Sequence, residues 1–209
     1  MRTVWGKKAV CATLVAFAAL VWMPAAFADS AQYLGEDGQM YTQENAAPVQ
    51  QGDTIWGTAG GETWYVANGT VTIENRVKVT GDVHLILANS AALTVNGGIE
   101  VGEGNSFTVY AQSTEESEMG SLEAKAATDS DEAGIGGGQF GTGGEMTIIG
   151  GKVTATGAEY SAGIGGGLLG SGGKVTVYGG VVNATGGNYA AGIGAGGSDR
   201  RPGEYALGN

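Results

Sequence analysis

The sequence predicts an all-β protein, and more closely a parallel β-helix, a solenoid with about 29 residues and three short strands in each coil. Three observations favour this fold. The tetrapeptide Ala-Gly-Ile-Gly recurs at a fixed spacing, apolar and polar residues alternate in short runs, and glycines separate those runs. A chain of this kind stacks one coil on the next and buries a continuous core.

Residues 1–28 have the composition of a signal peptide. The basic start consists of Arg2, Lys7 and Lys8. Residues 9–28 carry no charge and end in Ala26-Phe27-Ala28, whose two alanines suit signal peptidase, so cleavage after Ala28 is expected. The alternative is an uncleaved membrane anchor, because about twenty apolar residues can span a bilayer. Cleavage predicts a secreted or cell-surface protein without an integral membrane segment.

Charge and cysteine content exclude several classes of function. The chain has 21 acidic and 10 basic residues, a formal charge of −11, and loss of the three cations of the signal changes this to −14. Nucleic-acid binding needs a basic surface, so nucleic acid is not expected as a partner. Cys11 is the only cysteine and leaves with the signal, so no disulfide, zinc cluster or cysteine nucleophile is expected.

The repeat is most regular in the last third of the chain. Ala-Gly-Ile-Gly occurs at 133–136, 162–165 and 191–194, 29 residues apart both times. Alternation with period two indicates strands, and glycine forms the corners between strands without steric cost. In the second unit the strand-like runs are 174–177, 181–184 and 190–193.

Stacked coils, about 4.8 Å apart, place equivalent residues above one another. The expected interior ladders are Ile135 with Ile164 and Ile193, Met146 with Val175, Ile148 with Val177, and Val153 with Val182. On the outside, Glu145 should lie over Lys174, and Tyr160 should stack on Tyr189. A leucine-rich repeat of this period is excluded, because its ladder of leucines is absent.

The same pattern continues upstream with less regular spacing. Strand-like runs occur at 64–66, 70–73, 77–79, 83–87, 93–95, 99–101, 107–110 and 121–124. The segment 112–119 reads as an acidic loop. The predicted organisation is a signal peptide at 1–28, a cap or linker at 29–60, the β-helix at 61–197, and a divergent tail at 198–209 that suggests a truncated coil.

Tyr160 and Tyr189 are the candidate carbohydrate-binding residues. Sugar rings present apolar C–H faces that pack on aromatic rings, so a ladder of tyrosines on a polar surface suits polysaccharide. The alternative is that the two rings only stabilise neighbouring coils. Trp56 and Trp64 are predicted to lie in the core.

No catalytic residue, metal ligand or cofactor is predicted, although calcium stays open as a ligand of the acidic residues 115–118 and 129–132. His84 alternates outward with no nucleophile placed beside it. Arg76 and Lys78 also alternate outward, and a basic residue is what β-helix polysaccharide lyases use to abstract a proton. Gly136 to Gly141 matches a dinucleotide-binding pattern, but no helix is expected to follow it.

Four segments, followed by Ala-Gly-Ile-Gly-Gly-Gly units, resemble secreted surface proteins of gut and anaerobic bacteria. They are WYV (64–66), RVKVTGDVHLIL (76–87), GGIEV (97–101) and GNSFTVYAQS (104–113). The repeat region, about residues 60–197, resembles the clostridial carbohydrate-binding β-helix family, which is similar in shape to pectate lyases. The resemblance implies a right-handed parallel β-helix at the cell surface that binds polysaccharide or mediates adhesion. The family's calcium ligands have no residue-by-residue match here.

We therefore expect an exported, non-catalytic surface or adhesion module whose partner is a polysaccharide or a host or cell-surface glycan. One alternative is a carbohydrate-active enzyme, a lyase or a glycoside hydrolase, built on the same β-helix. Another is a purely structural stalk or a fragment. Acids and bases clustered on one outer face would favour the enzyme, and threonine and tyrosine ladders alone would favour binding.

Overall fold

The computed structural model describes residues 29–198, and every regular element among them is a β-strand. The strands are β1 (Asp29–Leu34), β2 (Met40–Pro48), β3 (Ile55–Ala67), β4 (Thr70–Ile73), β5 (Val77–Leu87), β6 (Ala92–Val95), β7 (Ile99–Glu100), β8 (Ser106–Ala111), β9 (Ser121–Lys125), β10 (Ile135–Gly136), β11 (Glu145–Ile148), β12 (Lys152–Thr156), β13 (Ile164–Gly165), β14 (Lys174–Val177), β15 (Val181–Thr185) and β16 (Ile193–Gly194). The predicted all-β class is confirmed. Within residues 29–198 there is no helix that could cross a membrane.

The strands form two sheets. The larger has eleven strands, with β1-β2-β3-β5-β7-β10-β13-β16 as its main order and β8, β11 and β14 paired beside this path. The smaller has the order β15-β12-β9-β6-β4. The pair β1–β2 is antiparallel, and the other strand pairs of the described chain are parallel.

Strand pairing in the last third joins residues that are 29 positions apart. Ile135 pairs with Ile164, and Ile164 pairs with Ile193. The pairs between β11 and β14 and between β12 and β15 follow the same step. Each ladder pair predicted from the spacing is thus confirmed. Between β9 and β12 the step is 31 residues, because Ser121 pairs with Lys152.

Both sheets contribute alternate side chains to one apolar core. The fully buried members include Ile73, Leu93 and Leu122 from the smaller sheet and Leu85, Phe107, Ile135, Ile148 and Ile164 from the larger one. Each aliphatic side chain buried in this way contributes roughly 1.5–3 kcal/mol. Trp56 is also fully buried in this core, as predicted, and its indole N–H donates to Asp53 at 2.9 Å.

The last rungs of two ladders are half exposed. Val177 and Ile193 are each 48% exposed, whereas Ile148 and Ile164, on which they stack, are buried. The expectation that all ladder members lie in the interior was therefore wrong for these two. The physical reason is that no described strand pairs beyond β14 and β16.

Glycine is required beside each isoleucine of the Ala-Gly-Ile-Gly units. Gly136, Gly165 and Gly194 have φ between 137° and 139°, in a region that side-chain-bearing residues rarely adopt. A Cβ on Gly165 would also collide with the carbonyl oxygen of Gly194, and one on Gly136 with that of Gly165. The close approach of stacked backbones thus explains why glycine recurs here.

Residues 29–60 contain strands that the alternation pattern did not predict. β1 lies antiparallel to β2, and the end of β2 pairs with β3 through Ala47 and Tyr65. The strand β1 is short and polar on one side, so its alternation is too weak to predict a strand from the sequence. Its Ala31 and Tyr33 pack on the outer face of the larger sheet, and that contact holds it there.

We expect Ile164→Asp to lower the free energy of unfolding by about 4 kcal/mol or more, because the change places an unpaired charge in a fully buried ladder. Ile55→Asp is the matched control. Ile55 is 60% exposed, so this change should alter stability by about 0.5 kcal/mol or less. Thermal and urea unfolding followed by circular dichroism measure both variants. Equal losses in the two variants would show that the ladder is not the core.

Candidate functional site

Tyr160 and Tyr189 occupy equivalent turns after β12 and β15. Their rings are stacked, with centroids 6.4 Å apart and planes inclined by 5°. The predicted stacking is therefore confirmed. Tyr189 is 70% exposed, so its ring is accessible to a ligand.

Three bulky side chains in this region stand on strained backbone and are nevertheless exposed. Phe140, Leu169 and Tyr189 have φ of 59°, 59° and 60°, and they are 62%, 61% and 70% exposed. A left-handed conformation costs a residue with a Cβ about 1 kcal/mol or more, and exposed side chains return little of this on folding. Strain of this kind concentrates at functional sites.

Main-chain hydrogen bonds bring these residues to one corner of the molecule. Phe140 and Leu169 stand in equivalent tight turns, each closed by a hydrogen bond of 2.8 Å, from Gly141 N to Gly138 O and from Gly170 N to Gly167 O. Gly167 N donates to Gly141 O at 3.1 Å and so joins the two turns. Leu169 N donates to Gly197 O at 2.8 Å, and Gly197 N donates to Tyr160 O at 2.8 Å. We call the group formed by Phe140, Tyr160, Leu169 and Tyr189 the tyrosine corner.

Polar side chains border the tyrosine corner. Gln139 Nε2 donates to Asp131 Oδ2 at 3.1 Å, and Asn188 Nδ2 donates to Glu159 Oε1 at 3.2 Å. Amides and carboxylates beside accessible rings are suited to a ligand that has both apolar C–H faces and hydroxyl groups.

A second aromatic group lies on the outer face of the larger sheet. Trp64 stacks on His84 at 4.2 Å and 12°, and on Tyr110 at 5.1 Å and 28°. Tyr33 of β1 packs on both Trp64 and Tyr110, at 4.9 and 4.7 Å between centroids. The prediction that Trp64 lies in the core was wrong. It packs in a separate apolar group on the outer face, because it is paired with the outward-facing His84.

His84 lies between a phenol and two carboxylates. Its Nδ1 shares a hydrogen bond of 3.0 Å with the Tyr110 hydroxyl, while its Nε2 is 3.4 Å from Asp82 Oδ2 and 3.8 Å from Glu62 Oε1. Trp64 Nε1 donates to Glu62 Oε1 at 2.7 Å. We call His84, Trp64, Tyr110, Glu62 and Asp82 the histidine cluster. Sequence reasoning found His84 alone: it did not single out Asp82, two residues earlier on β5, and Glu62 lies on the neighbouring strand β3.

The geometry of the histidine cluster does not match a nucleophilic triad. Ser106 Oγ donates to Asp82 Oδ1, so the hydroxyl faces the acid and not the imidazole. The Glu62 and Asp82 side chains are 62% and 48% exposed, so both carboxylates can also accept hydrogen bonds from a ligand. What the arrangement offers is a set of acceptors beside an aromatic surface.

Burial in this cluster raises the pKa of Tyr110 above its usual value of 10.0, and the nearby Tyr33, Asp82, Glu36 and Glu62 raise it further. The phenol therefore remains protonated in the folded chain, where it hydrogen-bonds to His84.

An open polar groove runs across the strands beside the cluster. One row of paired residues follows it, namely Glu62, Asp82, Ser106, Glu145 and Lys174. Four steps between neighbouring strands span about 19 Å. Lys174 Nζ lies 3.4 Å from Glu145 Oε1, which confirms the predicted contact between them.

The two basic residues considered for lyase chemistry are engaged in ion pairs. Arg76 lies outside the core formed by Val77 and Val79, yet its side chain is largely buried, and it lies 3.5 Å from Glu132. Its guanidinium donates to the carbonyl oxygens of Gly97, Ala133 and Gly137 at 3.0, 3.0 and 3.3 Å. Lys78 Nζ lies 3.2 Å from Glu100. These cations therefore have structural partners.

No three His, Cys, Asp or Glu side chains in residues 29–198 are arranged to hold a metal ion. The expectation of calcium near residues 115–118 and 129–132 stays a prediction. The glycine pattern at Gly136 leads into β11, so no helix follows it there.

Comparison of the chain with protein-family models, with curated proteins and with solved structures finds no match.

The Tyr110 pKa gives a prediction about alkaline stability. Because this pKa is raised on folding, the unfolded chain loses the phenol proton first, so the contribution of Tyr110 to stability is constant below about pH 10 and falls as the pH rises further. Tyr110→Phe removes this contribution. We expect the free energy of unfolding of the variant to fall less steeply above pH 10 than that of the wild type, measured by urea unfolding. Tyr189→Phe, at an exposed ring, is the control, and a slope unchanged in Tyr110→Phe would contradict the assignment.

Arg76 and Lys78 form a matched pair for testing burial. Arg76→Met leaves Glu132 and three carbonyl groups without their donor, so we expect a loss of about 3 kcal/mol of stability. Lys78→Met removes a pair whose lysine is 57% exposed and should cost about 1 kcal/mol or less. Chemical unfolding of both variants checks this, and losses of similar size would contradict it.

Proposed function

We propose that the chain is a non-catalytic glycan-binding module, exported to the cell surface and built as a right-handed parallel β-helix. The observation that carries the proposal is the tyrosine corner, where the exposed Tyr189 stacks on the partly buried Tyr160 and two strained apolar residues are presented to solvent. An accessible apolar surface bordered by amides and carboxylates suits a polysaccharide or a host or cell-surface glycan.

The pairing pattern supports the β-helix. After β4 the chain passes through β5 in the larger sheet and returns as β6, which lies beside β4 in the smaller sheet. The same alternation continues through β9, β12 and β15, and both sheets enclose one core. A chain that winds once around the core for each strand of the smaller sheet accounts for these facts.

Charge limits the class of glycan. Without the predicted signal the chain carries 7 basic and 21 acidic residues, since three of the 10 cations are lost. Acidic polymers are therefore repelled at a distance, and neutral polysaccharides are favoured. The support for export is the pattern of residues 1–28, which lie outside the described residues, as does most of the predicted tail, 199–209.

A second candidate function is glycoside hydrolysis at the histidine cluster. Glu62 and Asp82 stand on neighbouring strands beside His84, and a pair of carboxylates is what most glycoside hydrolases use. This grouping of acids and a base on one outer face is the feature expected of an enzyme. Release of shorter sugars from a bound polymer, lost in Glu62→Gln and Asp82→Asn, would identify this activity.

We expect a glycan array to show binding of neutral polysaccharides by the purified chain, with no bond cleavage. Tyr160→Ala and Tyr189→Ala should each weaken binding about tenfold, because a stacking ring is lost. Ile55→Ala is the control, since Ile55 is an exposed apolar residue on β3, outside the tyrosine corner. The array is run with calcium and with chelator. Absence of binding under both conditions would contradict the proposal.

A further inference from the structure

The outer face of the larger sheet carries one apolar row that is only partly covered. Val66, Ile86 and Tyr110 are paired across neighbouring strands, and Ala31 and Tyr33 of β1 pack on them. The row continues through Ile149 and Tyr178, which follow β11 and β14. Because β1 ends at Leu34, this last part has no strand over it, and Tyr178 is 55% exposed.

The turn after β1 encloses a cavity of about 240 Å³ at this uncovered end. Its apolar walls are Leu34, Met119, Ile149 and Tyr178. This volume is below the range of about 300–1,000 Å³ that is typical of sites for drug-sized ligands, so it suits a single ring. The cavity is separate from the tyrosine corner, because the two share no residue.

Polar groups lie at the rim of this cavity, and the turn that carries one of them is internally braced. Asp37 accepts hydrogen bonds from Gln39 N at 3.0 Å and from the Tyr41 hydroxyl at 2.8 Å, which fixes the turn. Glu36 stands on this turn, and its carboxylate raises the pKa of the nearby Tyr178 phenol above its usual value. Ser113 and Thr114 add two hydroxyl groups to the lining.

The charges around the cavity select against acidic ligands. Its lining contains Glu36 and no basic side chain, and exposed glutamates follow in the adjoining loop, namely Glu115, Glu116 and Glu118. A carboxylate on a ligand would find no cation in the lining, and Lys174, which acts on Tyr178 from outside it, is already 3.4 Å from Glu145 Oε1. A carboxylate and two hydroxyls can instead exchange hydrogen bonds with the hydroxyl groups of an uncharged ring.

We propose that this cavity binds one neutral pyranose ring, the uncharged terminal unit of a glycan. The C–H face of the ring packs on Tyr178 and Ile149, and the ring hydroxyls donate to the Glu36 carboxylate. The site goes beyond the proposed function, because it recognises a single sugar unit at a place that shares no residue with the tyrosine corner. It also predicts discrimination by charge between sugars of the same shape.

The test measures binding of free sugars to the purified chain by saturation-transfer NMR and calorimetry, up to about 10 mM sugar. The neutral set is galactose, glucose and mannose, and the matched acids are galacturonic and glucuronic acid. Tyr178→Ala and Glu36→Gln remove the ring and the charge, and both sites are exposed, so folding should be retained. Glu44→Gln, an exposed carboxylate on β2 outside the cavity, is the control.

We expect at least one neutral sugar to bind, with binding weakened about tenfold in Tyr178→Ala and Glu36→Gln and unchanged in Glu44→Gln. The matched acids should bind about tenfold more weakly or not at all. Binding that does not depend on Tyr178 and Glu36, equal binding of acidic and neutral sugars, or no binding of any sugar would each overturn the proposal.

The tyrosine corner is tested separately by Tyr160→Ala. This variant should lose polymer binding on the array and keep the binding of free sugars. If free sugars fail to bind while polymers still bind through Tyr160, the cavity proposal fails and the proposed function stands.

Discussion

The structure depends on one constraint, the parallel pairing of each strand with the equivalent strand of the next repeat. The pairing places Ile135, Ile164 and Ile193 in line and brings the backbones so close at Gly165 that no side chain fits. Every position in a strand must therefore suit the same position in its neighbours. Apolar residues repeat on the inner side for this reason, and glycines repeat where two backbones meet.

The same constraint produces the candidate binding sites, because outward positions are also brought into line. Tyr189 lies over Tyr160 as a consequence of the pairing between β12 and β15. The turns of this corner lie outside the packed core, so they can hold strained and exposed residues such as Leu169. A rigid inner ladder with a freely varied outer surface is well suited to recognising an extended polymer.

The N-terminal hairpin changes one part of that outer surface. Tyr33 covers Trp64 and Tyr110, and the turn after β1 encloses the cavity next to Tyr178. The hairpin thereby covers the aromatic rings of the histidine cluster and leaves a small cavity beside Tyr178. Under the two proposals, the tyrosine corner binds a polymer and the cavity binds a single sugar, which belong to the same ligand or to two different ligands.

The ladders and the tyrosine stack could be predicted because they repeat the same residue types at one spacing. Glu145 over Lys174 could be predicted for the same reason. The position of Trp64 could not, because β3 lacks clean alternation and Tyr65 beside it packs against the core. The burial of Arg76 could not either, since its acceptors are backbone carbonyls 21, 57 and 61 residues away, which no side-chain pattern encodes.

Deletion of one repeat tests most directly the claim that the pairing register determines the fold. Removal of residues 152–180 joins Gly151 to Val181, the residue that pairs with Lys152, so every later strand keeps its alignment. Removal of residues 153–180 is one residue shorter and turns Val182 and Ala184 to the outside. Pairing by register predicts that the first variant unfolds cooperatively on heating, followed by circular dichroism, while the second has lost its cooperative transition. Two variants with the same melting behaviour would contradict it.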